Sequence, residues 1–317
     1  MENKIIDRIL KEVGVPELFN ILSEQLNPSD LQSLLLEVYR KRATKISPSF
    51  LLQQHLNNRF AKPSLLSPQV QLEFDRLAFE VAKGNFEPII LSPLAGLGTC
   101  SAIARADQNK IISTARNVEV TADPTNVMAL ESAIRRNDLL KKNAKSSESV
   151  HLCTSQRVTR AQFFDAPNSF GHFQIFALTS AGRDTGSFNF EQKSLKKHLD
   201  FYVQLMGAFS AFQFTEIEIL VLPIEKKLEL SVQEILKKYA ENYPDIRFEI
   251  DQKRTNGVGY YQTLCFTINA TNVKGEKLHL VDGGITDWTQ KLMSNKKERL
   301  MISAIGSERV GLAFTKG

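Results

Sequence analysis

The sequence predicts an α+β fold, an antiparallel sheet flanked by helices with a helical extension before it, on three observations. Residues 150–191 contain a strand, turn and strand pattern. A run rich in β-formers (151–162) meets an Asp, Pro, Asn and Gly cluster at 163–171, and aromatic and β-branched residues resume from His172. Residues 259–282 read as a second antiparallel pair, joined at Lys274-Gly275. Residues 3–60 instead repeat apolar positions at helical spacing: Ile5, Ile6, Ile9, Leu10 and Val13, then Leu18, Phe19 and Leu22, then Leu31, Leu34, Leu35 and Val38.

Taken in order, residues 3–60 form three or four short helices. Ser29 caps the one that follows Asn27-Pro28, and Ser47-Pro48 starts the next. Arg40, Lys41, Arg42 and Lys45, with Arg59 and Lys62, form a basic face whose simplest role is a solvated surface. Residues 61–68 are the linker, so that residues 1–64 make the extension and 65–317 the sheet domain. A helix over 71–83 ends at Gly84, and a strand over 86–91 runs into Ser92-Pro93. Residues 110–121 read as two short strands, and Asp123-Pro124-Thr125 opens a helix capped by Asp123 or Thr125. After a polar loop at 141–149 and the hairpin come a helix over 190–209, a strand over 216–222, a helix over 232–239 and a strand over 246–250. The second antiparallel pair precedes a short helix at 288–294, a strand at 299–303 and a terminal helix over 306–314.

Composition is that of an ordinary globular chain: 317 residues, 42% hydrophobic and 24% charged. No apolar run reaches membrane-spanning length and the N-terminus has no secretion-signal core, so a cytoplasmic protein without a membrane partner is expected. A net charge of +5, from 40 basic and 35 acidic residues, permits nucleic-acid binding without arguing for it. Cys100, Cys153 and Cys265 are expected to be buried, inert thiols, with a zinc pairing of Cys153 and Cys265 on neighbouring strands the lesser alternative. The five histidines are scattered, and the reading for each is structural hydrogen bonding.

Within the hairpin, Arg160 late in the first strand and Phe173 at the start of the second offer a guanidinium for phosphate and a ring face for a base, which suits a nucleotide. The run Arg160-Ala161-Gln162, then Phe173 to Thr179 and Gly182-Arg183-Asp184, resembles the second signature motif of class II aminoacyl-tRNA synthetases in the histidyl-type version. Gly257 to Phe266, Asp282-Gly283-Gly284 to Asp287, and Ala304 to Arg309 follow in the order of that type's later segments, the last resembling its third motif. The helix, strand and Pro93 are similar to the first motif, which in the family makes a homodimer interface.

The resemblance implies ATP with Mg2+ as cofactors and an amino acid or similar small carboxylate as substrate. It implies Arg160 and Arg309 as the catalytic, phosphate-holding arginines, with Gln162, Phe173, Gly306 and Glu308 completing the ATP site. It further implies Asp123 and Thr125 at the substrate ammonium, Tyr260 and Tyr261 lining the acid pocket, and Thr179 at its side. The metal ligands are not assignable. Departures are specific: Gln162 and Thr179 replace glutamates, Thr121 an arginine, and Asn256 and Gly259 the arginine and aspartate of an R-G-x-D-Y-Y run. Arg254 lies two residues early and replaces that arginine only if its loop shifts. With no anticodon-binding segment after the third motif, tRNA recognition in the ordinary mode is not expected, and the N-terminal helices are assigned to a protein partner or to dimer support. Two functions stay open: formation of an acyl-adenylate, and a non-catalytic paralogue like the regulatory subunit of ATP phosphoribosyltransferase.

Overall fold

The computed structural model describes residues 3–162, 171–208 and 212–315. Most of the turn expected between the hairpin strands, residues 163–170, lies outside this set, as does residue 209 at the end of the following helix.

Four helical segments open the chain: α1 (Lys4–Val13), α2 (Leu18–Asn20, continued as a π turn over Ile21–Gln25), α3 (Pro28–Ala43) and α4 (Pro48–Asn57). The cap of α3 is Asn27 and not Ser29: the Asn27 side chain accepts from the N–H groups of Ser29 and Asp30, because Pro28 already occupies the first helical position. Ser47 caps α4 by accepting from the Phe50 N–H. None of these elements buries a single residue.

From α5 (Pro68–Ala82) onward the chain builds one sheet. Its eight strands are β1 (Glu87–Pro88), β4 (Val150–Thr159), β5 (His172–Arg183), β6 (Glu216–Pro223), β7 (Ile246–Ile250), β8 (Leu264–Thr271), β9 (Lys277–Thr286) and β10 (Glu298–Ile305). The order is β1-β4-β5-β10-β9-β8-β6-β7, antiparallel except at the two edges, where β1 on β4 and β7 on β6 run parallel. The expected pair of strands at 110–121 is a single short strand, β3 (Val118–Val120), which pairs with β2 (Leu94–Gly96), outside the main sheet. Ile112 and Ser113 meet β3 only through isolated bonds.

Helices cover both faces. On one, α5, α8 (Asn189–Ala208), α9 (Glu229–Asn242) and α11 (Ser307–Phe314) pack Phe74, Leu199, Tyr202 and Phe314 against Phe176, Leu178, Met301 and Ile305. Phe176 stacks on Phe201 at 5.5 Å between ring centroids. On the other face lie α6 (Thr99–Ala104), α7 (Pro124–Lys142) and α10 (Trp288–Leu292), over smaller strand residues such as Ala177, Ala181 and Cys265. Arg136 of α7 and Glu298 of β10 are both fully buried and form a two-pronged ion pair, and Arg136 also donates to the carbonyls of Glu148 and Ser146. Such a pair is tolerable inside only because its charges are hydrogen-bonded all round.

The three cysteines are free and buried, with desolvation pushing Cys100 and Cys265 up to about 11 and Cys153 to about 12. Cys153 on β4 and Cys265 on β8 are separated by three strands, which rules out the zinc pairing between them. Of the histidines, His151 and His198 bond to Ser180, and His198 also to Ser303, inside the sheet and α8, as structural hydrogen-bonders do.

Candidate functional site

The candidate residues gather on the α7 face of the sheet, over small strand residues. Ala177, Ala304 and Asp282 sit side by side across β5, β10 and β9. Gly284, next on β9, lets the Tyr261 ring lie flat against the strand: a Cβ there would be 2.6 Å from a Tyr261 ring carbon. Gly257 closes on the other side of that ring with a φ of +87°, where an added Cβ would meet it at 2.9 Å. Tyr261 is therefore a buried wall. Tyr260, edge-on to both Tyr261 and Trp288, faces the cleft.

Asp123 caps α7, accepting from the Thr125 N–H at 2.9 Å and from its hydroxyl at 2.7 Å. Its second oxygen lies 3.5 Å from the Arg160 guanidinium, so one carboxylate serves both as cap and as a wall charge. Arg160 leaves the end of β4, donates to the Ala122 carbonyl at 2.9 Å and lies over the Phe173 ring at 5.2 Å. Phe173 thus already carries a cation on one face. Arg309, from the first turn of α11, donates to the His279 carbonyl at 2.7 Å and has no carboxylate partner among the described residues. Desolvation and then the positive charge of Arg160 pull the Arg309 pKa below its usual value.

Arg254 joins them despite its displaced position. It is almost buried, with 7% of its side chain exposed, and one guanidinium nitrogen binds Asp282 at 2.8 Å while Nε donates to the Asn256 carbonyl. The remaining nitrogen, Nη1, is buried without a partner. An unsatisfied charged donor at such a depth costs stability, and an anion would satisfy it. Burial raises the pKa of the Tyr260 phenol, with further upward contributions from the negative charges of Asp123 and Asp282.

Other expected residues do different work. Glu308 is buried and spent on three donors: the Gln174 N–H at 2.9 Å, Arg157 at 2.8 Å and the Ser64 hydroxyl. Thr179 is fully buried under α7, its hydroxyl 3.3 Å from that of Ser132, and does not reach the cleft. Gly306 precedes α11 with a φ of −72° and room for a Cβ, so the protein alone does not demand glycine there. The Gln162 carbonyl accepts from Arg59 at 3.1 Å, which takes Arg59 out of the expected basic surface. Glu119, absent from the sequence reading, is buried. Burial opposes its charge, but the N–H groups of Cys100 and Gly98 and the Gln108 amide outweigh this and hold its pKa down, fixing the loop before α6. A cavity of about 640 Å³ elsewhere, between α7 and the start of β4, is lined in part by Arg135 and Glu87, which pair with each other. Among the described residues no group of three or more His, Cys, Asp or Glu could hold a metal ion.

No protein-family model matches the chain, and no curated protein matches it in sequence. Solved structures do match. An ATP phosphoribosyltransferase regulatory subunit/histidyl-tRNA synthetase from Bacillus halodurans superposes with a TM-score of 0.55 at 10% identity, over 81% of this chain and 84% of that one. The apo histidyl-tRNA synthetase of S. aureus gives 0.56 at 12% identity, over 79% and 71%. That of Nostoc sp. gives 0.53 at 13%, over 80% and 73%. The chain has the histidyl-type class II synthetase fold. On this synthetase fold Arg160 lies over the Phe173 ring and 3.5 Å from Asp123, while Arg254 and Asp282 form a separate charge pair.

Proposed function

We propose that the chain binds ATP across Arg160 and Arg309 and uses it to activate an amino acid or similar small carboxylate as an acyl-adenylate. A substrate carboxylate oxygen attacks the α-phosphorus, the bond to the pyrophosphate bridging oxygen breaks, and pyrophosphate leaves. Positive charge fixed in place before the reaction stabilises the phosphorane-like transition state without reorganisation. The single observation that carries this reading is that Arg160 lies over the Phe173 ring while Arg309, at the start of α11, donates to the His279 carbonyl and has no carboxylate partner among the described residues. Asp123 would receive an ammonium in place of its contact with Arg160. The acceptor of the acyl group is left open by this chemistry.

Calorimetric titration with ATP, followed by pyrophosphate exchange over a panel of amino acids, tests the proposal. Charge-assisted hydrogen bonds of about 1.5–3 kcal/mol predict that Arg160→Ala and Arg309→Ala each weaken ATP binding by roughly ten- to 150-fold. Exchange that appears with one acid and vanishes in Arg160→Ala supports catalysis. No exchange with any acid, beside intact ATP or amino-acid binding, supports the second reading, a regulatory ligand-binding subunit. Two observations favour that second reading: Asn256 and Gly259 replace a catalytic arginine and an aspartate, and Asp282 neutralises the substitute Arg254. Homodimerisation through α5 and β1 belongs to either reading and fits the fully exposed Ile90 just past β1. No helix among the described residues is long and apolar enough to cross a membrane, and a cytoplasmic location is part of the same proposal.

A further inference from the structure

The residues between the N-terminal helices and α5 do not merely link. Arg59 donates through two guanidinium nitrogens to the carbonyls of Ala161 and Gln162, directly after Arg160. The Arg59 carbonyl packs on Gly171, where an added Cβ would lie 2.8 Å away, and Gly171 in turn accepts the Arg160 N–H at 2.9 Å. His172, which precedes Phe173, lies 2.6 Å from the Lys62 carbonyl through Nε2 and 2.7 Å from Arg157 through Nδ1. Ser64 donates to Glu308, which precedes Arg309, and the Leu66 side chain fills the space over Gly311 of α11. Within six positions, then, one strap touches the immediate neighbour of each of Arg160, Phe173 and Arg309. Those contacts go mostly to backbone, so they set where the three side chains start from without competing for the ligand.

The geometry points to residues 59–64 as a positioning strap for the nucleotide site, with Arg59 as its main positioning residue. This rests on the ATP-binding reading. Arg59 touches no substrate. Its forked guanidinium spans two successive carbonyls, a geometry a lysine ammonium cannot copy, so the strap holds one register of the chain after Arg160. By linkage, ATP bound at the site must tighten the strap by the same factor by which the strap tightens ATP, in the range of roughly five- to 150-fold for couplings of this kind.

The test uses the full-length chain, ATP calorimetry and amide hydrogen exchange, with melting curves to show that each variant is folded. Arg59→Ala should weaken ATP binding about tenfold while Arg59→Lys recovers only part of it, and ATP should slow exchange at residues 59–66 in the wild type but not in Arg160→Ala. Should Arg59→Ala fail to fold, Arg59→Lys and Ser64→Ala carry the same comparison. Wild-type ATP affinity in the folded variants, or exchange at 59–66 indifferent to ATP, overturns the strap while leaving the nucleotide reading intact. No ATP binding by the wild type removes that reading, and the strap with it.

Discussion

Helices α1 to α4 and the sheet with its covering helices obey different economies of burial. The first four helices have good local signals, with Asn3, Asn27 and Ser47 as side-chain caps and Pro28 and Pro48 at first positions, yet no buried residue; Phe19, Tyr39, Phe50, Leu51 and Leu52 are each more than half exposed. The sheet body contains fully buried Phe74, Phe176, Leu199, Tyr202 and Phe266. Local capping and periodicity suffice to write a helix. Only packing makes it contribute to global stability, because most of a helix's stability in a protein comes from its buried face.

The largest test of this contrast is the buried ion pair. Arg136→Ala leaves Glu298 charged, buried and unpaired, and should cost about 3–5 kcal/mol in urea denaturation. A loss below about 1 kcal/mol would show that α7 is not held to β10 as described. Acid should come next. Burial pushes the His151 pKa down to about 4 and holds His198 well below 6.5, so both are neutral in the folded chain. Because the folded pKa values are depressed, this contribution is complete above the unfolded value of 6.5 and is lost as pH falls from there toward 4. Melting temperatures should therefore drop across that window, and His151→Asn should flatten the drop. A smaller change is expected at the α7 cap: Asp123→Ala should cost about 1 kcal/mol by the same denaturation. Smallest of all, Leu52→Ala in α4 should stay within about 0.5 kcal/mol. A Leu52→Ala loss of several kcal/mol would mean that the exposed helices are covered in solution, and would collapse the contrast.

Periodicity and turn residues made the architecture legible. The strand at 246–250 and the hairpin partners appear where runs of β-formers flanked by turn residues put them, since these are local properties of the chain. Local signals misplaced what depends on competition for partners. Ser29 lost the cap to Asn27, and the segment before β3 meets β3 only through isolated bonds while β3 pairs along its length with β2, far back in the chain.

The amino-acid order alone determined an α+β chain with two antiparallel pairs, an arginine and a ring at one hairpin end and a second arginine at the last helix, because those are matters of spacing. Tertiary structure alone decided that Glu308 is consumed by Ser64, Arg157 and Gln174, that Thr179 is sealed under α7, and that Arg254 reaches Asp282. Each of these depends on which distant backbone or side chain a charge meets once water is excluded. Spacing along a chain says nothing about that.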